Sequence, residues 1–297
     1  MDYLTQYYNY HTKSSLIRDI DPANDTLSYI CNRYELNIEQ RYWLAFLYAC
    51  CYSPTTTYYI YNEFPDFENV NTARLQLWWN RNKHNLIFQT DRLRVKTSDQ
   101  FVQAFVSYKL LLNGRRQADF FNSLLIGNST QNYNNVWYAS QKIYTFGRFT
   151  LFIYMEMLNV LTGLDIMPET LILKDADSCR NGVALAFGLK ELNTHGTKKN
   201  LTTEQHNILQ GKFEEIKAHI QTLNIPHKNV WNIETTLCAY KKYRMKKRYI
   251  GFYIERAGRE LEKMSKSIIL GVDWNSLWQF REETYEHKYL FEKWRKQ

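Results

Sequence analysis

The alternation of apolar and polar positions is helical along almost the whole chain. Asp21-Pro22 reads as an N-cap followed by a first helical residue, opening a helix over 22–35 that carries Leu27, Ile30, Cys31 and Tyr34 on one side. Over 38–52 the polar face disappears: residues 42–52 carry no charge, which predicts a central helix buried all round. Ser53-Pro54 repeats the start signal, and the helix that follows must stop near Phe64, because Pro65 disfavours helical geometry in the residue before it. Helical spacing continues over 71–84, 99–113, 116–125, 134–146 and 148–162, with Gly147 and Gly163 as punctuation. Further helices are predicted over 182–187, 203–223, 229–243, 249–266 and 273–288. Only 171–173 reads as a candidate strand.

The prediction is a mainly α, multi-helix globular fold. The polar stretch Asn-Thr-His-Gly-Thr-Lys-Lys-Asn-Leu-Thr at 193–202 is the most linker-like segment. It either separates an N-terminal helical region, 1–192, from a C-terminal one, 203–297, or is a surface loop of a single domain. A chain of 297 residues is long enough for either arrangement.

Composition sharpens this picture in two places. Aromatic residues make up 16% of the chain, with 23 Tyr, 16 Phe and 8 Trp, and such rings either fill a core or stack on nucleobases. The net charge of +8 raises the prospect of a polyanionic partner. Five cysteines without a Cys-x-x-Cys pair, and no N-terminal apolar signal segment, read as free thiols in a reducing cytoplasm. The longest apolar run, over 42–52, is well short of the roughly 20 residues that a membrane-spanning helix needs.

Local motifs exclude several chemistries. The chain has no phosphate-cradling G-x-x-x-x-G-K-[ST], no dinucleotide-binding G-x-G-x-x-G, no H-E-x-x-H and no zinc-deaminase pattern. No metal or cofactor is expected, so catalysis would rest on positioning and acid/base chemistry.

Four constellations remain. Thr55, Tyr59, Asn62 and Glu63 share one helical face, with Asp66 just beyond Pro65. Those carboxylates either meet cations, line a wet cleft or cap backbone. At 174–182, Asp177, Ser178, Arg180 and Asn181 gather before a helix of small residues. They read either as a phosphate-binding helix N-terminus or as a capped loop with Asp177 or Ser178 as N-cap. At 241–248 six of eight residues are basic, with Tyr243 and Tyr249 interleaved; Lys241, Arg244 and Arg248 share one helical face and Lys242 and Lys246 another. This is either a nucleic-acid groove or a solvated basic face. Arg148 opens a very apolar helix, where the dipole does not favour a cation, so an anionic partner is expected.

The blocks Arg-Tyr-Trp-Leu-Ala-Phe-Leu-Tyr (41–48), Thr-Thr-Thr-Tyr-Tyr-Ile-Tyr-Asn-Glu-Phe-Pro-Asp-Phe (55–67), Phe-Gly-Arg-Phe (146–149), Ser-Cys-Arg-Asn-Gly (178–182) and Glu-Thr-Thr-Leu-Cys-Ala-Tyr-Lys-Lys-Tyr (234–243), taken in order, resemble a known family. It comprises the helical enzymes of thymine hypermodification in bacterial viruses, the amino acid:DNA transferases or α-glutamyl/putrescinyl-thymine pyrophosphorylase-like proteins. The resemblance covers most of the chain, about 38–255. It implies a helical fold with a suggested relation to DNA glycosylases. It also implies replacement of the phosphate of 5-phosphomethyluracil in double-stranded DNA by an amino acid or other small amine, beside a 5-hydroxymethyluracil DNA kinase and in the infected host's cytoplasm. Where the family tends to carry a His before Arg-Asn-Gly, this chain has Cys179, so an acid/base role at that position is not carried over.

On that reading Glu63, and after it Asp66, is expected to take the proton of the amine, while Arg148 and Arg180 balance the departing phosphate. Tyr59, Asn62, Asp177, Ser178 and Asn181 are expected to contact the base or small substrate, with Trp43 and Tyr58 beside Tyr59 in a pocket for a flipped base. Lys241, Lys242, Arg244, Lys247, Arg248 and Tyr249 are expected to hold DNA. Two other classes stay open: a non-catalytic DNA-binding partner of the kinase, and a glycosylase-like base hydrolase.

Overall fold

A computed structural model of the chain describes residues 2–89, 92–197, 200–268 and 271–289. Among these the fold is mainly α, with fifteen α-helices and no strand. They are α1 (Tyr3–Leu16), α2 (Pro22–Arg33), α3 (Ile38–Cys51), α4 (Pro54–Glu63), α5 (Thr72–Asn82), α6 (Leu93–Thr97), α7 (Gln100–Leu112) and α8 (Gln117–Asn122). The chain continues through α9 (Ser129–Ser140), α10 (Arg148–Thr162), α11 (Asp177–Ala186), α12 (Thr203–Thr222), α13 (Val230–Arg244), α14 (Phe252–Ser267) and α15 (Trp274–Thr284). Lys198 and Lys199 of the linker-like stretch, and the end of the predicted C-terminal region at 290–297, lie outside the described residues.

Most predicted helices are present, and the departures have local causes. Helix α9 starts at Ser129, earlier than its apolar spacing suggests, because Asn128 and Gln131 form a reciprocal capping box. Residues 171–173 make no strand; Leu173–Asp175 is a single 3-10 turn. Helix α1 carries no run of aliphatic residues, yet Asp2 caps it through Thr5 N at 2.8 Å, and its buried face is Tyr7, Tyr10, His11, Ser14 and Ser15. Tyrosines at helical spacing here fill the place usually taken by leucines.

The described chain forms two compact units. Among the described residues, the first consists of those in 2–22, 169–256 and 285–289, the second of those in 23–168 and 257–284.

The second unit is built round α3, whose residues from Tyr42 to Cys51 are all buried. It packs on α10, α4 and α8. Its core is aromatic: the Phe46 and Tyr108 rings stack at 4.4 Å, Tyr42 and Phe121 at 5.1 Å, and the Trp43 indole N–H donates to the carbonyl of Phe64 at 2.7 Å. Glu39, beneath this core, accepts from the backbone N–H groups of Gln117 and Ala118 at 2.9 and 3.0 Å, satisfying donors at the start of α8. The rings of 42–52 therefore form a core. Trp43 and Tyr58, at 0% and 3% exposure, belong to that core rather than to a base pocket.

In the first unit α1, α11, α12 and α13 pack together, with α11 and α13 in the most extensive contact. The Tyr7 hydroxyl meets Thr236 Oγ1 at 3.0 Å, and the Tyr240 hydroxyl donates to the carbonyl of Tyr3 at 3.2 Å, fixing α1 against α13. Asp19 accepts from the backbone N–H groups of Gly251, Tyr253 and Ile254 at 2.7–3.0 Å, so a residue far away in sequence caps the start of α14.

Candidate anion-binding site

The site in the first unit arises where α11 crosses α13. At Gly182 the two backbones nearly touch: a Cβ built there would lie 2.2 Å from the carbonyl oxygen of Leu237. One helical turn before Gly182 is Ser178, and one turn after Leu237 is Lys241. The crossing brings those two together, with Lys241 Nζ 3.5 Å from Ser178 Oγ.

Lys241 is only 6% exposed. Its ammonium donates to His195 Nδ1 at 3.2 Å, and no carboxylate pairs with it among the described residues. Burial pushes its pKa below the ordinary lysine value; the field of Cys238 opposes this, that of Arg248 adds to it, and that of Asp177 opposes it. The Lys241 charge in turn is the first cause holding the His195 pKa below the usual imidazole value, ahead of burial, Lys247 and Lys242.

Arg180, also buried, donates through Nη1 to the carbonyl of Lys174 at 3.0 Å and through Nη2 to Asp177 and to Thr194 Oγ1. Its Nε lies buried without a partner. Asn181 uses both ends of its amide within the protein: Nδ2 donates to the carbonyl of Asp177 at 2.8 Å, and Oδ1 accepts from the backbone N–H of Thr194 at 2.7 Å. That second bond ties the 193–197 turn to α11 and sets His195 over Lys241. Asn181 is therefore an anchor for the turn, not a free reader of a uracil edge.

Several expectations change with this geometry. Asp177, Ser178, Arg180 and Asn181 lie inside α11, which begins at Asp177; its N-cap is Ala176, and neither Asp177 nor Ser178 caps it. The basic run is not one helix, since α13 ends at Arg244 and Lys246 turns left-handed at φ 57°. Lys241 consequently points inward to Ser178 and His195 instead of out to a DNA backbone. Arg244 folds onto Gln6 and the Tyr3 ring, and Arg248 onto Phe252 and Tyr253. The Tyr249 hydroxyl donates to Glu255. Lys242 and Lys247 stay exposed.

The candidates of the second unit have other partners. Glu63 pairs with Arg74 at 3.0 Å, not with Arg148. Asp66 accepts from the Glu68 backbone N–H at 3.1 Å and from the Asn69 amide, closing the turn after Pro65, and it lines an open cleft of about 680 Å³ together with Glu68, Lys109 and Arg115. The Tyr59 hydroxyl donates to Asn82 Oδ1 at 3.1 Å, and the Asn62 amide to the carbonyl of Gly271. Arg148 opens α10 with its guanidinium 5.5 Å over the Phe152 ring, so an aromatic face stands where an anion was expected. Cys50 and Cys51 are buried, and burial raises both thiol pKa values, which leaves them poor nucleophiles.

Sequence reasoning missed Thr194 and His195. They fall in the linker-like stretch, and nothing local marks them; they become visible only when Asn181 draws the turn onto α11. No group of three or more His, Cys, Asp or Glu among the described residues is arranged to hold a metal, and no described helix is long and apolar enough to cross a membrane.

These contacts define a helical protein with two buried cations, Lys241 and Arg180, at the α11–α13 crossing, and an exposed carboxylate, Asp177, paired with Arg180. The family model described as amino acid:DNA transferase matches residues 16–249, a span that includes every residue of this cluster. The chain belongs to the amino acid:DNA transferase family. It is also similar to a protein named serinyltransferase from Salmonella phage ViI, with 32% identity over 248 residues that cover 77% of this chain and 60% of that relative. The chain thus spans about three-fifths of the length of that relative.

Proposed function

We propose that this protein transfers an amino acid to a modified thymine in double-stranded DNA, displacing the phosphate of 5-phosphomethyluracil. The amine, having lost its ammonium proton to solvent, attacks the exocyclic methylene carbon with its lone pair. A carbon–nitrogen bond forms, the carbon–oxygen bond breaks, and its electron pair leaves on the phosphate, which departs as inorganic phosphate. A kinase acting on 5-hydroxymethyluracil would supply the ester.

The observation that carries this reading is the burial of Lys241 without a carboxylate of its own, against Ser178 of the helix that also carries the buried Arg180, inside the segment matched by the family. Buried charge is costly unless it is compensated, and a substrate phosphate is the compensation the chemistry offers. Cations fixed in place before the reaction stabilise the charge that develops on the leaving group without reorganising. The exposed lysines Lys242 and Lys247 suit the DNA backbone, and the net charge of +8 supports the same partner. Serine is the first amine to try, given the name of the phage relative.

The test is to incubate the protein with DNA containing 5-phosphomethyluracil and single amino acids, digest to nucleosides and weigh them. A nucleoside heavier by the amine and lighter by the phosphate is expected. Abasic sites in place of that product would mean base hydrolysis, and no mass change with any amine would sink the transfer reading.

A further inference from the structure

Lysine offers three donors and no acceptor, so the 3.2 Å contact between its ammonium and His195 requires Nδ1 to be the acceptor. A neutral imidazole must then carry its proton on Nε2. That nitrogen makes no hydrogen bond among the described residues, and His195 is exposed. Lys241 thereby turns the solvent-facing edge of the ring into a donor. The groups acting on this pair are Ser178 and Asp177 from α11, Cys238 and Lys242 from α13, and Lys247 and Arg248 beyond it. All the charged ones among them except Asp177 are cations.

We propose that His195 Nε2–H receives the phosphate displaced in the transfer, with exposed Lys242 and Lys247 beside it, and that Lys241 is the positioning residue that sets the tautomer. The ligand is a phosphate monoester or inorganic phosphate dianion. The inference rests on the phosphate-loss reading above and adds to it the residue that meets the phosphate. Arg180, whose Nη atoms are committed to Lys174, Asp177 and Thr194, holds the turn in place.

The experiment is long-range proton–nitrogen NMR of the full chain, following His195 through a pH titration with and without inorganic phosphate. The expected result is the Nε2–H tautomer in the free protein and a rise in the His195 apparent pKa when phosphate binds, because an anion favours the imidazolium. Lys241→Met should raise the His195 pKa without phosphate and abolish the tautomer preference. His195→Asn, in an exposed turn, should keep the thermal transition and weaken phosphate binding by about tenfold or more, the order of one charge-assisted hydrogen bond. An Nδ1–H tautomer in the free protein, or a His195 titration indifferent to phosphate, would overturn the proposal. An unmodified duplex provides the second arm: if only its phosphodiesters move the His195 signals, the site reads DNA backbone and the monoester assignment fails. None of these readouts depends on turnover. Transfer without phosphate binding would refute this inference alone, and phosphate binding without transfer would refute only the reaction.

Discussion

Gly182 and Leu237 meet backbone to backbone, leaving only 2.2 Å between an ideal Cβ at position 182 and the carbonyl oxygen of Leu237. No side chain fits there. Everything in the candidate site depends on that approach, since Ser178 and Lys241 each lie one turn away from it. Gly182→Ala should force α11 from α13 and cost about 1–3 kcal/mol, despite the better helix propensity of alanine. Urea denaturation and phosphate binding check this together; a variant as stable as the parent would show that the crossing has slack.

His11 predicts how stability responds to acid. It is fully buried, with Nε2 donating to the carbonyl of His227 at 2.8 Å and Nδ1 facing Thr236 Oγ1 at 2.8 Å. Burial pushes its pKa from 6.5 down to about 4. Between those values the unfolded chain binds a proton that the folded one refuses, so acid favours unfolding. The stabilisation is complete above about pH 6.5 and is lost as the pH falls towards 4, amounting to about 3 kcal/mol. Urea unfolding at pH 7.5 and pH 4.5 should show a smaller difference in His11→Gln than in the parent.

Asn181→Ala should release the 193–197 turn. The backbone N–H of Thr194, now bonded to Asn181 Oδ1 at 2.7 Å, would lose its partner, a cost of about 1–3 kcal/mol if it stays buried. Faster hydrogen exchange at Thr194, together with loss of the His195 tautomer preference, is the expected pair of observations.

The ion pair of Glu63 and Arg74 lies in partial solvent, with side-chain exposures of 35% and 66%. Such pairs contribute about 0–1 kcal/mol. Glu63→Gln should therefore leave the denaturation midpoint almost unchanged. A loss of nucleoside product in that variant would then be a chemical effect, returning Glu63 to the reaction as a base.

Lys242 and Lys247 are, with Lys246, the exposed members of the basic run, whereas Lys241 is buried. Replacing Lys242 and Lys247 with Gln should weaken duplex binding and lower the slope of log affinity against log salt by about 1 for each DNA phosphate that is no longer neutralised. An unchanged slope, measured by anisotropy over a salt series, would place the DNA elsewhere.

The sequence by itself determined the helical class and the ends of most helices, because caps, prolines and the 3.6-residue period act over a few neighbouring residues. Pro54 starting α4, Asn71 capping α5 and Gly163 stopping α10 in the left-handed region are all short-range effects. It also singled out the Ser-Cys-Arg-Asn-Gly and basic segments as places where chemistry gathers. Only the tertiary structure decided what those residues do. The burial of Lys241 depends on a backbone contact at Gly182, between positions far apart in the chain, and the place of His195 depends on Asn181 reaching Thr194. In the same way, the core absorbed Trp43 and Tyr58, and Arg74 took up Glu63. Apolar spacing records which face of an element is buried; it does not record which distant element covers that face, and covering is what turns a lysine that reads as a surface charge into a buried one.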